Sequence, residues 1–427
     1  MNEIEAVGAE VLLDPPPAGG APVKDRPWLF GLLIAPSAVV ANGVIQGGIL
    51  AYLMRQQGIG IGQISHIIWL LSLPTTIYFL WSPITDFLVR RRTWLLLGGT
   101  GAGVLIAAAF HASRLDSRGA MALMFAGACC SQLVVSSCGG MMGAMRSERP
   151  RRVAGSFYQG GSLAFGAASV FLLVLMSDKV KHGTLGLLAG VLIAAPALLA
   201  LAAPKQEVIL EDGFAKTMRR IWNEFKATFL QWKAIPYTLT IMFPIASGAA
   251  VGLLPGVARD YGVNGEHVAW VNGLGGALLM AGGSLAATLI PARIRASVAY
   301  LTVGLVNAGT LGVLWLGPLR PSTYYLGLTL YLFTIGIGYA LFTAVVLEFL
   351  GHSGKSGSGR YSIINSLGNV PVLYMLALDG WGGDRWGARG LSGTEAVGGA
   401  LGASILLAYF LSRRRVDATP EVLHLEA

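Results

Sequence analysis

Trp81-Ser82-Pro83-Ile84-Thr85-Asp86-Phe87-Leu88-Val89-Arg90-Arg91-Arg92-Thr93-Trp94 joins two apolar runs, Ile64 to Leu80 before it and Trp94 to Phe110 after it. One carboxylate and three arginines are crowded into the join, with a tryptophan at either end. Arginines enter hydrocarbon only at high cost and collect on the cytoplasmic side, while tryptophan rings settle at the headgroups. The stretch reads as the turn of a hairpin between two membrane helices, with the turn inside the cell.

The rest of the chain has the composition this reading needs. Of 427 residues, 54% are hydrophobic and 12% charged, and the mean hydropathy is +0.62. A soluble domain of this length is far more polar, so the composition implies a polytopic membrane protein. The net charge of +9 does not point to nucleic acid, because the basic residues lie in short loops between apolar runs. Cys129, Cys130 and Cys138 fall inside one apolar run, where they read as buried free thiols and not as metal ligands. Residues 1–27 have acidic residues and Pro15-Pro16-Pro17 but no apolar core, as expected of a disordered cytoplasmic tail.

A membrane helix needs about 20 apolar residues. Twelve stretches qualify: 28–54, 64–83, 93–112, 119–144, 153–176, 184–203, 236–258, 267–290, 298–316, 323–350, 361–379 and 392–411. With the tails and the even-numbered connections placed inside, 22 of the 31 Lys and Arg lie inside and 9 outside, so both termini are expected in the cytoplasm. The fold class is thus all-α. Residues 28–203 and 236–411 form two six-helix bundles, 204–235 a cytoplasmic linker, and 412–427 a cytoplasmic tail. Within the linker Phe214, Met218, Ile221, Trp222, Phe225 and Phe229 recur every three or four residues, which predicts an amphipathic helix on the inner leaflet.

The two bundles read as repeats. Pro36 stands eight residues after Trp28, and Pro244 eight after Pro236. His66-Ile67-Ile68-Trp69 opens the second stretch and His267-Val268-Ala269-Trp270 the eighth, and each ends in a basic turn. Repeats in register predict two halves facing each other across a central path.

Ser82-x-Ile84-Thr85-Asp86-x-x-x-Arg90-Arg91 resembles the loop motif between helices 2 and 3 of the major facilitator superfamily, with Ser82 and Val89 where that motif has glycine. The longer phrase from Phe79 into Arg90-Arg91-Arg92 resembles the anhydromuropeptide permeases and their acetyl-CoA transporter relatives, and the likeness runs from about Trp28 to the last apolar run. It implies a transporter, and it implies that Asp86, in a motif with Arg90, Arg91 and Arg92, caps the start of helix 11 near Arg360 and Tyr361 and holds the inner gate shut; Glu348 and Arg360 flank the same turn and read either as a gate pair or as surface charges. It departs on helix 4. There the permeases carry Ser-Gln-Asp-x-x-x-Asp and this chain reads Ser131-Gln132-Leu133-Val134-Val135-Ser136-Ser137, without either acid.

Polar residues inside apolar runs are functional candidates because the membrane penalises them. On the helices that line the cavity in the resembled fold, these are Asn42, Gln46, Gln132, Tyr158, Gln159, Trp270, Asn272, Tyr331, Asn365 and Asn369. Each reads either as a solute contact or as an interhelical hydrogen bond. No ionisable residue falls near the middle of an expected helix; Asp86, Glu348 and Asp379 stand at helix ends. A cavity of neutral hydrogen-bonding groups and aromatic faces is the expectation. Gly98-Gly99-Thr100-Gly101 and Gly273-Leu274-Gly275-Gly276 are embedded in helix and read as packing sites, not nucleotide loops. Gly354-Lys355-Ser356 lacks the upstream glycine of a phosphate loop, because position 349 is Phe349.

The expected function is secondary transport of a medium-sized polar or amphipathic solute across a bacterial inner membrane by alternating access: a muropeptide, a siderophore or a coenzyme A thioester. The expected partners are that solute, the bilayer and, where transport is coupled, protons. No cofactor, metal, nucleic acid or second subunit is expected. The alternatives are an uncoupled lipid or solute flippase and a membrane-embedded transferase; the latter needs a catalytic base that His66 and His267 do not clearly supply.

Overall fold

The computed structural model describes residues 26–78, 84–85, 89–143, 148–203, 235–291, 294–351 and 366–417, with single positions 216, 219, 222, 223 and 226. Every regular element among them is helical. In hydrocarbon the backbone must satisfy its own hydrogen bonds, and a helix does so within one segment.

Each of the twelve expected stretches holds helix. In chain order these are α1 (Leu29–Ile45, continued by Ile49–Gln56), α2 (Ile61–Thr76), α3 (Arg91–Phe110), α4 (Arg118–Gly143), α5 (Glu148–Ser177) and α6 (His182–Ala197). Then follow α7 (Ile235–Met242, continued by Ala249–Val257), α8 (Gly265–Leu289), α9 (Ala296–Leu316) and α10 (Pro321–Gly351). The run Val370–Asp417 is non-helical at Trp386 and Gly387, which divides it into α11 (370–385) and α12 (388–417).

One packing pattern occurs twice. α3 lies against α4 and α6, and α9 lies against α10 and α12. The seam between the halves is made by α1 on α7, α2 on α11 and α5 on α8. The described residues of the linker are single positions, where the Lys226 ammonium lies 5.2 Å from the centre of the Trp222 ring.

α1 and α7 are both broken. α1 has a π-helical stretch over Val39–Ile45 and then bends by 41°. The bend is made by Gly48, whose φ of +89° is left-handed and whose missing side chain leaves room for the Pro255 ring of α7. α7 opens between 243 and 248, with φ +48° at Ala246 and +77° at Gly248. α8 carries a second π-helical stretch over Ala269–Gly275.

Helices 11 and 12 depart from their expected bounds of 361–379 and 392–411. The helix continues past Asp379 to 385 and resumes at 388. The intervening Gly380, Gly382 and Gly383 are polar-looking in sequence but serve close approach: Gly382 lies on the Gly390 carbonyl, Gly383 on Ile61 and Gly380 on Ser65. What reads as a loop is a tightly packed helical hairpin.

Candidate functional site

The connections α1–α2, α5–α6, α7–α8 and α11–α12 lie at the end of the bundle away from the termini, and there the two halves are stitched together. The Arg55 Nε donates to the Gly256 carbonyl at 3.3 Å, and its Nη2 stands 3.7 Å from Asp260 Oδ1. The Arg259 guanidinium lies 5.7 Å from the centre of the Tyr52 ring. Gly62 N–H donates to Asp384 Oδ1 at 2.7 Å, and a side chain at 62 would overlap that carboxylate. Ser65 Oγ donates to the Leu376 carbonyl. Trp270 of α8 stacks edge-on against Phe171 of α5 at 4.7 Å.

Burial pushes the Asp260 carboxyl up from its ordinary 3.8, with the Arg55 charge acting against that rise. The opposite holds in the α3–α4 turn. A hydrogen bond from Arg114 holds Asp116 below 3.8, with burial opposing and a second donor in Gln63.

The ten polar candidates separate into groups. Asn42 is exposed on the π-helical part of α1 and donates to Ser162 Oγ of α5 at 3.0 Å; Gln159 of α5 is exposed and Gln46 half-buried. Trp270 keeps 52% of its surface exposed. Tyr158 is half-buried against a small cluster around Leu33, Val134 and Cys138. Asn272 accepts from Tyr324 at 3.0 Å, and its own Nδ2 is buried without a partner. Asn369 is half-buried at the start of α11. Gln132 and Tyr331 are enclosed: Gln132 donates to Thr75 Oγ1 of α2 at 3.2 Å, and Tyr331 is buried in the C-terminal half. Asn365 lies outside the described residues.

Of the gate residues, Asp86 and Arg360 lie outside the described residues, as does the Glu348 side chain. Arg90 is exposed in the turn before α3, and Arg92 is half-buried. Arg91 donates from Nη1 to the Gly140 carbonyl at 2.7 Å, lying where a Gly140 side chain would stand. It thereby ties the turn to α4.

The expectation of no mid-helix acid is overturned by Asp379 and Glu395, which are 0% and 3% exposed. Asp379 lies inside α11, not at its end, and Glu395 stands two turns into α12. The Thr394 hydroxyl donates to Asp379 Oδ1 at 2.7 Å. Ser247 Oγ, in the gap of α7, donates to Glu395 Oε1 at 2.6 Å, and Tyr331 OH donates to the same oxygen at 3.2 Å. Asp379 Oδ2 and Glu395 Oε2 are buried and have no hydrogen-bond partner among the described residues. In sequence Glu395 falls in the first turn of the expected stretch 392–411 and so reads as a helix-end residue; the helix starts earlier, at 388, and carries it inward.

No curated protein sequence matches the chain. Similar folds include a variant of the nucleoside transporter NupG (TM-score 0.68, 10% identity, covering 91% of this chain and 99% of that one). The peptide transporter POT in complex with sulfate has a TM-score of 0.67 at 14% identity, covering 91% and 95%. The D-xylose-proton symporter has 0.66 at 12%, covering 89% and 95%. At these identities the likeness concerns the fold. The sequence itself matches the family model of the Major Facilitator Superfamily over residues 32–373, and with four-fifths of its length inside that match the chain belongs to this superfamily of multi-pass membrane transporters.

Proposed function

We propose that the chain carries a medium-sized polar or amphipathic solute across a bacterial inner membrane by alternating access, with both termini in the cytoplasm. The observation that carries this reading is the seam between the halves, together with exposed carboxamides beside it. The end away from the termini is closed by Arg55, Asp260, Gly62 and Asp384, while Asn42 and Gln159, nearer the termini, are exposed. Carboxamides turned to lipid are costly, so exposed ones favour a watery cleft between the halves.

The solute classes that fit are those of the resembled permease group: muropeptides, siderophores and coenzyme A thioesters. Neutral groups at Asn42, Gln46, Gln159 and Asn272 suit hydroxyl- and amide-rich cargo. An apolar groove of about 580 Å³ between α1 and α5, lined by Trp28, Gly31, Phe157, Gly161, Ala164 and Phe165, favours an amphipathic one. The same groove keeps a lipid flippase as the second reading.

The test is uptake of labelled anhydromuropeptide, ferric siderophore and acyl-CoA into proteoliposomes, with and without an inward proton gradient. Uptake of one class that saturates and is lost in Asp86→Asn, from protein that remains monodisperse, is expected. Uptake of none of them, beside movement of labelled phospholipid between leaflets, overturns solute transport in favour of the flippase.

A further inference from the structure

We propose that the Asp379–Glu395 pair, framed by Ser247, Tyr331 and Thr394, is the site at which the carrier binds its coupling proton, an inference that rests on the transport reading above. The two acids come from α11 and α12 and meet side by side in the interior of the C-terminal half. Three hydroxyl donors are spent on one oxygen of each. The remaining oxygens, Asp379 Oδ2 and Glu395 Oε2, are acceptors without donors. A buried carboxylate needs a compensating charge or hydrogen bond, and two adjacent ones need it doubly.

Among the described residues no cation supplies it. Among the described residues, no Lys, Arg or His forms an ion pair with either acid. The ionisable side chains around the pair, among the described residues, are Tyr331 and Tyr339 of α10 and Tyr374 of α11. Of those nearby on the same or packed helices, Asp384 is turned to the Gly62 N–H, Arg389 to the Gly317 carbonyl, and His66 of α2 stacks on Trp69. Tyr237 and Tyr300, on α7 and α9, pack against Phe410 and Phe342. The ligand that satisfies two neighbouring buried carboxyls, each with an oxygen that no donor reaches, is a proton. Loading forms one O–H bond with a proton taken from water on one side of the membrane; release breaks it and returns the proton to water on the other.

The pair is also placed to sense both seams. Ser247, which donates to Glu395, accepts from the Ala249 N–H at 3.2 Å and so caps the second part of α7, the part that meets α1. Asp379 precedes Gly380, which packs on Ser65 of α2. A change of charge at the pair is felt where α7 meets α1 and where α11 meets α2.

Two measurements on the full chain test this. In reconstituted protein without solute, the infrared carbonyl band of protonated carboxyls is followed against pH in the wild type, Glu395→Gln and Asp379→Asn. A band that titrates in the wild type and is lost or displaced in both variants is expected. A band that neither variant alters, or one that sodium removes at constant pH, overturns the proposal. With a solute that the wild type moves, Glu395→Gln is expected to lose gradient-driven accumulation about tenfold while equilibrium exchange stays within about twofold. Equal loss of both overturns the coupling role. A titrating band in protein that moves none of the solutes supports the pair and counts against the choice of cargo instead.

Discussion

Gln132 shows how a single side chain can be legible in type and not in role. A carboxamide in the apolar run of α4 marks it as special from sequence alone, yet its partner Thr75 belongs to α2 and only the packed structure shows the bond. Gln132→Leu removes one interhelical hydrogen bond between neutral groups, which is worth about 1 kcal/mol in membrane proteins. Thermal unfolding in detergent is expected to show a small drop with transport retained; transport lost at unchanged stability would make Gln132 a solute contact. Glu395 is the reverse case: it stands in the first turn of the expected stretch 392–411, and only the earlier start of the helix at 388 carries it into the interior. Asp116 allows a signed pH expectation. Its folded-state value is depressed, so its contact with Arg114 is fully present above 3.8 and is lost as pH falls through the depressed value. Asp116→Asn is expected to leave stability at neutral pH nearly unchanged, because the Arg114 side of the pair is exposed.

At the scale of elements, helices with long uninterrupted apolar runs were readable nearly to the residue, as α3 and α9 show. Interruptions were not. Pro244 announces the gap in α7, but its counterpart Pro36 lies inside α1, and that helix breaks twelve residues later at Gly48. The reason is tertiary: Gly48 turns left-handed because Pro255 occupies the space beside it. Gly48→Ala meets both obstacles. A left-handed alanine costs about 1–2 kcal/mol, and overpacking against a proline ring adds a similar amount. The expected outcome is a melting temperature several degrees lower, with the larger effect on transport, since the bend sets the angle at which α1 meets α7; an unchanged melting temperature would show that the bend carries no strain.

For the molecule as a whole, the positive-inside tally and the hydropathy decided the class before any contact was known. They could not show which contacts hold the halves together at the end away from the termini. That depends on Arg55 pairing with Asp260 some 200 residues later and on Gly62 receiving Asp384, contacts that no local pattern encodes. Arg55→Gln is expected to loosen this end. A cysteine introduced by Ala51→Cys in a background without Cys129, Cys130 and Cys138, next to Gly256 on the seam, should then react faster with a membrane-impermeant thiol reagent added from that side. An unchanged rate would place the seal elsewhere.

The Arg55–Asp260 pair is about one-third exposed on each side, which opens it to mobile ions in the bathing fluid. Paired charges at such a depth contribute about 0–1 kcal/mol, and at 0.1 M ionic strength their attraction is screened over roughly 10 Å. A fraction of a kcal/mol is enough to redistribute a carrier whose two resting shapes are closely balanced. With the topology proposed above, the salinity of the fluid bathing this end becomes a dial on the resting population, and a move from dilute to brackish medium would leave more carriers unlatched without any new protein.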